Sequence, residues 1–346
     1  MRIAHWSIWA PNRSGMYHTT KDIIVGQRAL GIDCAFIDAI EPTAKTDGQF
    51  RCESHHYADS ADIYMMHLAV QEPYQSDGTP MVIALHGHPL YSMQTELYGL
   101  EEGNAKPFST ILNFFRRTTP TWFITLWGED QGDYWAALDG VRGKPRVRSI
   151  PRGIDFGDTF TMDGPTRELE GDPVILIADQ FRYFKDALPS LWGAYHYWLQ
   201  NPRARVYMYA WPPVNSRERD CLDLWIQSSN LHQAVGGVFE IVDYLPEVYR
   251  AADVLISTVT CESRVVVEAQ ACGCAVIAPW PEGADCNVER FWRPSYIAEA
   301  IDGLHKGGAF IPEARAARSA KVREQFAIRK TAEALQELYG EIMTHG

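Results

Sequence analysis

Short apolar runs recur along this chain, most of them separated by stretches that return apolar positions at helical spacing. In the N-terminal half, Arg2 to Trp9 reads as a strand, Pro11 to Gly15 as a loop, and Tyr17 to Leu30 as a helix stopped by Gly31. Ile32 to Ile37, Ile63 to Leu68, Met81 to Leu85, Trp122 to Leu126 and Val147 to Ile150 read as further strands. A second series opens with a strand at Pro173 to Ala178 and a helix from Asp186 to Leu199. It continues with strands at Arg205 to Tyr209, Val238 to Val242 and Val254 to Ser257, a helix around Glu268, and a strand at Ala275 to Ala278. Ala314 to Met343 reads as one or two terminal helices. Strands separated by helices predict parallel βαβ units covered on both faces. The boundary between the two series falls in Asp155 to Asp172, a stretch rich in Gly, Asp and Thr. The expected fold class is therefore α/β, with two Rossmann-like, doubly wound domains facing a cleft. The expected domains are residues 1–160 and 161–325, with 326–346 as a C-terminal helix packing back on the first.

Composition narrows the class without naming a chemistry. A chain of 346 residues suits two domains of ordinary size, and 46% hydrophobic residues with 12% aromatics supply two cores. The net charge of −12 argues against a broadly basic surface for nucleic acid or anionic lipid, though not against a local basic groove. Seven cysteines, an odd number without CxxC spacing, fit a reducing compartment. No apolar run reaches the ~20 residues of a membrane span. The chain opens on a strand rather than a leader, so a cytoplasmic protein is expected.

The stretch from Thr260 to Pro279, TCESRVVVEAQACGCAVIAP, carries the most chemistry. It places a carboxylate, Glu268, in a helix entered from a strand, with a small-residue turn and an apolar strand behind it. Helix N-termini at the carboxyl ends of parallel strands offer free N–H groups to phosphate, and a Glu in such a helix can accept from a ribose diol. A solvated Glu on an amphipathic helix is the plain alternative. Cys272-Gly273-Cys274 reads as a tight small-residue turn rather than a metal pair.

Glu268 to Ala278 resembles the nucleotide-sugar loop of glycosyltransferase family 4, of the GT-B class, whose pattern is E-x7-E followed by A-x-A-x-G and a short strand. The first half departs from it: eight residues before Glu268 stands Thr260, and the nearest carboxylate is Glu262. Further stretches resemble the same family in order and spacing. They are Pro80 to Gly87, Ile150-Pro151-Arg152-Gly153-Ile154-Asp155 with Arg152 where the family has Asn, and Leu245 to Val254. The resemblance implies a metal-independent transferase that needs no cofactor beyond a nucleoside-diphosphate sugar as donor, bound by the second domain while the first binds the acceptor.

It also implies roles. Glu268 would hold the ribose, and Lys185, with Arg182 in place of the family's Arg, would neutralise the diphosphate as charge builds on the leaving group. Arg264 would add a third phosphate contact, and the Glu268 helix start, including Val265, would supply amides. Arg13, Ser14 and Gly15 resemble the family's Gly-rich turn toward donor and acceptor. His86, at a strand's carboxyl end, matches a histidine near the donor sugar or reacting hydroxyl; His88, His67 and His18 are weaker candidates. Glu262 would take the first acidic role, and Glu129 or Asp130, after Trp127, that of a base toward the acceptor. The acceptor stays open: a glycan, a small molecule, or a hydroxymethylated DNA base. The last is suggested by Phe181-Arg182-x-x-Lys185 and Arg264 to Glu268, which are similar to stretches of phage DNA glucosyltransferases. Arg116-Arg117 and Arg142 to Arg148 would then form a DNA-facing strip. A GT-B-type sugar-nucleotide epimerase and a non-catalytic nucleotide-sugar or glycan-binding module are the rival readings. Oligomeric state is not legible in the sequence.

Overall fold

The computed structural model describes residues 1–11, 15–67, 78–86, 121–126, 146–178, 187–210, 224, 226–227, 229–240, 245–258, 263–279, 284–288 and 290–345. By its internal contacts the chain divides into two compact units. One comprises Met1–Asp155 with Phe326–Gly346, the other Phe156–Gln325.

The first unit is built on an eight-stranded sheet. Its strands are β1 (Arg2–Ser7), β2 (Asp33–Asp38), β3 (Lys45–Asp47), β4 (Phe50–Glu53), β5 (Ile63–His67), β6 (Met81–Leu85), β7 (Thr121–Thr125) and β8 (Arg146–Ser149). They lie in the order β3-β4-β2-β1-β5-β6-β7-β8. All neighbours are parallel except β3 and β4, an antiparallel edge hairpin turned at Gly48, whose φ is 58°. The sequence reading missed this hairpin because its strands are short and mostly polar, as an edge strand can be when only one face meets the core. The central strands are buried and mostly apolar because both faces are covered. On one face Ile3, Met65, Val82 and Ala84 pack beneath α1 (Gly15–Ala29) and the C-terminal helix. On the other, Ala4, Trp6, Met66 and Ile83 form a second core.

The second unit holds a six-stranded sheet of β9 (Val174–Ile177), β10 (Arg205–Ala210), β11 (Val235–Glu240), β12 (Val254–Ile256), β13 (Ala275–Ala278) and β14 (Cys286–Asn287), ordered β11-β10-β9-β12-β13-β14 and parallel throughout. Its helices are α2 (Leu188–Gln200), α3 (Leu231–Ala234), α4 (Leu245–Ala251), α5 (Arg264–Ala271), α6 (Pro294–Lys306) and α7 (Pro312–Gln325). Residues of α2 and α6 pack on one face, those of α4 and α5 on the other. The last helix, α8 (Ile328–His345), belongs to the first unit and buries Leu335, Leu338, Tyr339 and Ile342 in its core.

Two local differences from the sequence reading have clear causes. β11 begins at Val235, not Val238, because Gly236-Gly237 is strand rather than turn: a Cβ on Gly236 would sit 2.5 Å from the Tyr207 ring on β10. Helix α6 was not anticipated, although Pro294 stands at its first position and Ile297, Ala298 and Ile301 are buried at helical spacing.

Candidate functional site

In the second unit the chain runs outward from β9 through β10 to β11, then returns to lay β12 on the other side of β9. That reversal is a topological switch point, where open α/β sheets place ligands outside the strands' carboxyl ends. Helix α5 follows β12 there. Ser263 caps it, its hydroxyl accepting from the N–H of Val266 at 3.3 Å. The N–H groups of Arg264 and Val265, the first two helical residues, fall in the turn that has no intrahelical acceptor. One turn on, Glu268 is only 4% exposed. A carboxylate so buried needs a compensating partner. It has one in Arg264, whose Nε donates to Glu268 Oε1 across i,i+4 with that guanidinium side chain 13% exposed. The fully buried Tyr249 of α4 has no partner for its hydroxyl among the described residues; burial, and then the Glu268 charge, push its pKa well up.

The turn behind α5 explains the Ala-Cys-Gly-Cys spacing. Gly273 adopts φ 85°, its N–H reaches Gln270 O at 2.9 Å, and the Cys274 N–H reaches Ala269 O at 3.0 Å. This is a Schellman end, and it requires a residue at ease with positive φ. It starts β13 immediately, so Glu268 is held between a fixed cap and a fixed stop.

The first unit has its own switch point, between β1 and β5. Gly15 opens α1 after β1 and is exposed. Thr20 ties this helix start to the strand end, its Oγ1 donating to Met16 O at 2.9 Å and lying 3.1 Å from Ser7 Oγ. His86 follows β6 at the carboxyl edge and is partly exposed, its Nε2 2.7 Å from His67 Nδ1. Burial, and then the Arg152 guanidinium, push the His86 pKa down to about 3, so the ring is neutral at physiological pH. Arg152, itself buried, stands in the Ile150 to Asp155 turn. Gly153 is there for packing: a Cβ would lie 2.6 Å from Ile328 Cα and from Thr331 Oγ1 of α8.

Of the residues singled out in the sequence, Arg264, Val265 and Glu268 share one helix start, while Gly15 and His86 lie at the carboxyl edge of the other sheet. Arg13, Glu129, Asp130, Arg182, Lys185 and Glu262 lie outside the described residues, as does His88. His5 and Gln27 were missed. Each reads as a core position; the strand order brings His5 beside His67, and Gln27 lies behind His5.

No protein-family model matches the chain, and no curated protein is recognisably similar in sequence. Solved structures do match it in shape. A glycosyltransferase from Rickettsia africae superposes with a TM-score of 0.65 at 15% identity, covering 100% of this chain and 99% of that one. The pneumococcal O-GlcNAc transferase GtfA, solved with UDP and GlcNAc, gives 0.65 at 10% identity over 100% and 99%. HepE from Anabaena, solved with UDP-glucose, gives 0.64 at 13% identity over 99% and 100%. The chain has the GT-B fold. Its two sheets, parallel apart from the β3–β4 hairpin, belong to the two Rossmann-like domains of that fold. Among the described residues no helix is long and apolar enough to cross a membrane.

Proposed function

We propose that this protein transfers a sugar from a nucleoside-diphosphate sugar to an acceptor hydroxyl. The observation that carries the reading is Glu268: a nearly buried carboxylate paired with Arg264, beside the first-turn amides of α5 at a sheet's switch point. A carboxylate only accepts hydrogen bonds, so the group that suits it is a neutral diol rather than a phosphate. The amides of Arg264 and Val265 and the positive end of α5 suit the diphosphate next to it. Arg182 and Lys185, which follow β9 in sequence, are proposed as its cations, with Arg264 as a third. The UDP-glucose bound by HepE, and the UDP and GlcNAc bound by GtfA, in the same fold support this choice of donor.

For the first unit the reading assigns Gly15 to close backbone approach and His86 to a sugar hydroxyl. Held neutral, with its pKa near 3, His86 is a weak base at pH 7. We therefore assign it hydrogen bonding rather than proton removal, and leave deprotonation of the acceptor to Glu129 or Asp130, with Glu262 near the donor sugar. The acceptor classes are a glycan, a small molecule or a hydroxymethylated DNA base, and the protein works in the cytoplasm.

The test is a thermal-shift panel of UDP-, GDP- and ADP-sugars followed by analysis of products. Ligand at 100 times Kd stabilises the protein by about 2.7 kcal/mol. One donor series should raise the melting temperature and slowly release nucleoside diphosphate without acceptor. An epimerised or eliminated sugar would replace the transferase reading with an epimerase, and binding without turnover would replace it with a binding module.

A further inference from the structure

Three histidines form a staircase across one face of the first sheet. Strand pairing sets His5 of β1 opposite Met65 of β5, and His67 of β5 opposite Ala84 of β6. Each histidine is thus two residues nearer the carboxyl edge than the last, and the strand period of two keeps all three on one face. His5 Nδ1 lies 3.2 Å from His67 Nε2, and His67 Nδ1 lies 2.7 Å from His86 Nε2. The inner end of the chain is equally well defined. His5 Nε2 lies 2.8 Å from Gln27 Oε1 of α1, the Gln27 amide donates to the Tyr339 oxygen of α8 at 2.8 Å, and the Tyr339 hydroxyl donates to Met65 Sδ at 3.2 Å. His5, His67, Gln27, Tyr339 and Met65 are all fully buried.

The direction of this chain follows from its last atom. A thioether has no proton, so the Tyr339–Met65 bond uses the one proton of the tyrosine, and the tyrosine oxygen must accept from Gln27. The amide of Gln27 is thereby oriented with its oxygen toward His5. That oxygen only accepts, so His5 carries its proton on Nε2 and its Nδ1 must accept from His67 Nε2–H. The same step repeats: His67 Nδ1 accepts from His86 Nε2–H. The two guanidinium groups near the ends, Arg28 by His5 and Arg152 by His86, oppose any imidazolium, and burial lowers all three histidine pKa values.

We propose that this buried chain fixes the tautomer of His86, leaving its Nδ1 as a bare hydrogen-bond acceptor for a substrate hydroxyl, with Gln27 as the positioning residue that gives the chain its direction. The inference deepens the assignment of His86 to a sugar hydroxyl and rests on it. It adds a selectivity: an acceptor nitrogen engages a hydroxyl proton and has nothing to offer a phosphate oxygen. It also gives the C-terminal helix a part in the site, since Tyr339 belongs to that helix.

The test is nitrogen-15 spectroscopy of the full chain labelled in histidine, with signals assigned by replacing each histidine in turn. The wild type should show His5, His67 and His86 all protonated on Nε2. Gln27→Met and Met65→Leu remove the director and the terminal acceptor with little change of volume, and each should give His86 a mixture of tautomers. Gln27→Met should also lower kcat about tenfold, the worth of one neutral hydrogen bond, with donor KM within about twofold. A wild-type His86 protonated on Nδ1 would overturn the proposal, even if both variants fail to fold. So would a His86 tautomer unchanged in both. The expected tautomers in a protein that binds no nucleotide sugar would uphold the chain and remove the transferase reading instead.

Discussion

Among the described residues a Cβ added to Gly15 meets no atom within 4 Å, whereas one added to Gly153 falls 2.6 Å from the backbone of Ile328. Both glycines belong to motifs that resemble one family, yet among the described residues only the second is hemmed in. Gly153→Ala should destabilise the first unit by about 1–3 kcal/mol, the usual cost of overpacking, read as a lower melting temperature. Gly15→Ala should leave that temperature within about a degree and instead reduce sugar transfer, because no described residue crowds the new methyl and a bound ligand would meet it. An unchanged transfer rate in Gly15→Ala would remove Gly15 from the site. Glu268 and Arg264 show what residue types could and could not announce. The carboxylate was legible from its place behind a strand, but its pairing with Arg264 was not, since a solvated i,i+4 pair looks the same in sequence.

At the scale of elements, β6 and β13 begin and end where the apolar runs Met81 to Leu85 and Ala275 to Ala278 do, because strands buried on both faces leave no other trace. Polar elements were harder. The β3–β4 hairpin is mostly polar and fully buries only Phe50 and Cys52, and β11 hides behind a double glycine that makes room for Tyr207. The histidine staircase was illegible for another reason: it depends on β1, β5 and β6 being neighbours, which no single stretch of sequence records. The C-terminal helix carries a prediction of its own. Leu335, Leu338, Tyr339 and Ile342 are buried in the first unit's core, each contributing about 1.5–3 kcal/mol. Their sum is comparable to the whole stability of a domain. Truncation after Gln325 should therefore abolish the cooperative melting of the first unit while the second, which lacks none of its residues, still melts in calorimetry. A single transition of unchanged enthalpy would contradict this.

For the molecule as a whole, acidity is the sharpest probe of the buried chain. The His5 pKa falls from 6.5 unfolded to about 4 folded, so the unfolded chain binds the extra proton below pH 6.5. The associated stability is fully present above that pH and is lost as pH falls through about 4. From His5 alone the loss is about 3 kcal/mol, a drop of roughly 10 °C in the melting of its unit. A His5→Met variant, with one protonation site fewer, should show a shallower slope between pH 6.5 and 4; an equal slope would show that the histidines do not govern acid unfolding. The account's central claim concerns Glu268, and calorimetric titration of the whole protein with UDP, GDP and ADP tests it most directly. Glu268→Gln keeps an oxygen for Arg264, and with it the fold, but loses the charge. The account predicts that the wild type binds one of these nucleotides and that the variant binds it about 10–100-fold more weakly, the loss expected for hydrogen bonds to a charged acceptor. A wild type that binds none of the three, or a variant that binds as tightly, would contradict it.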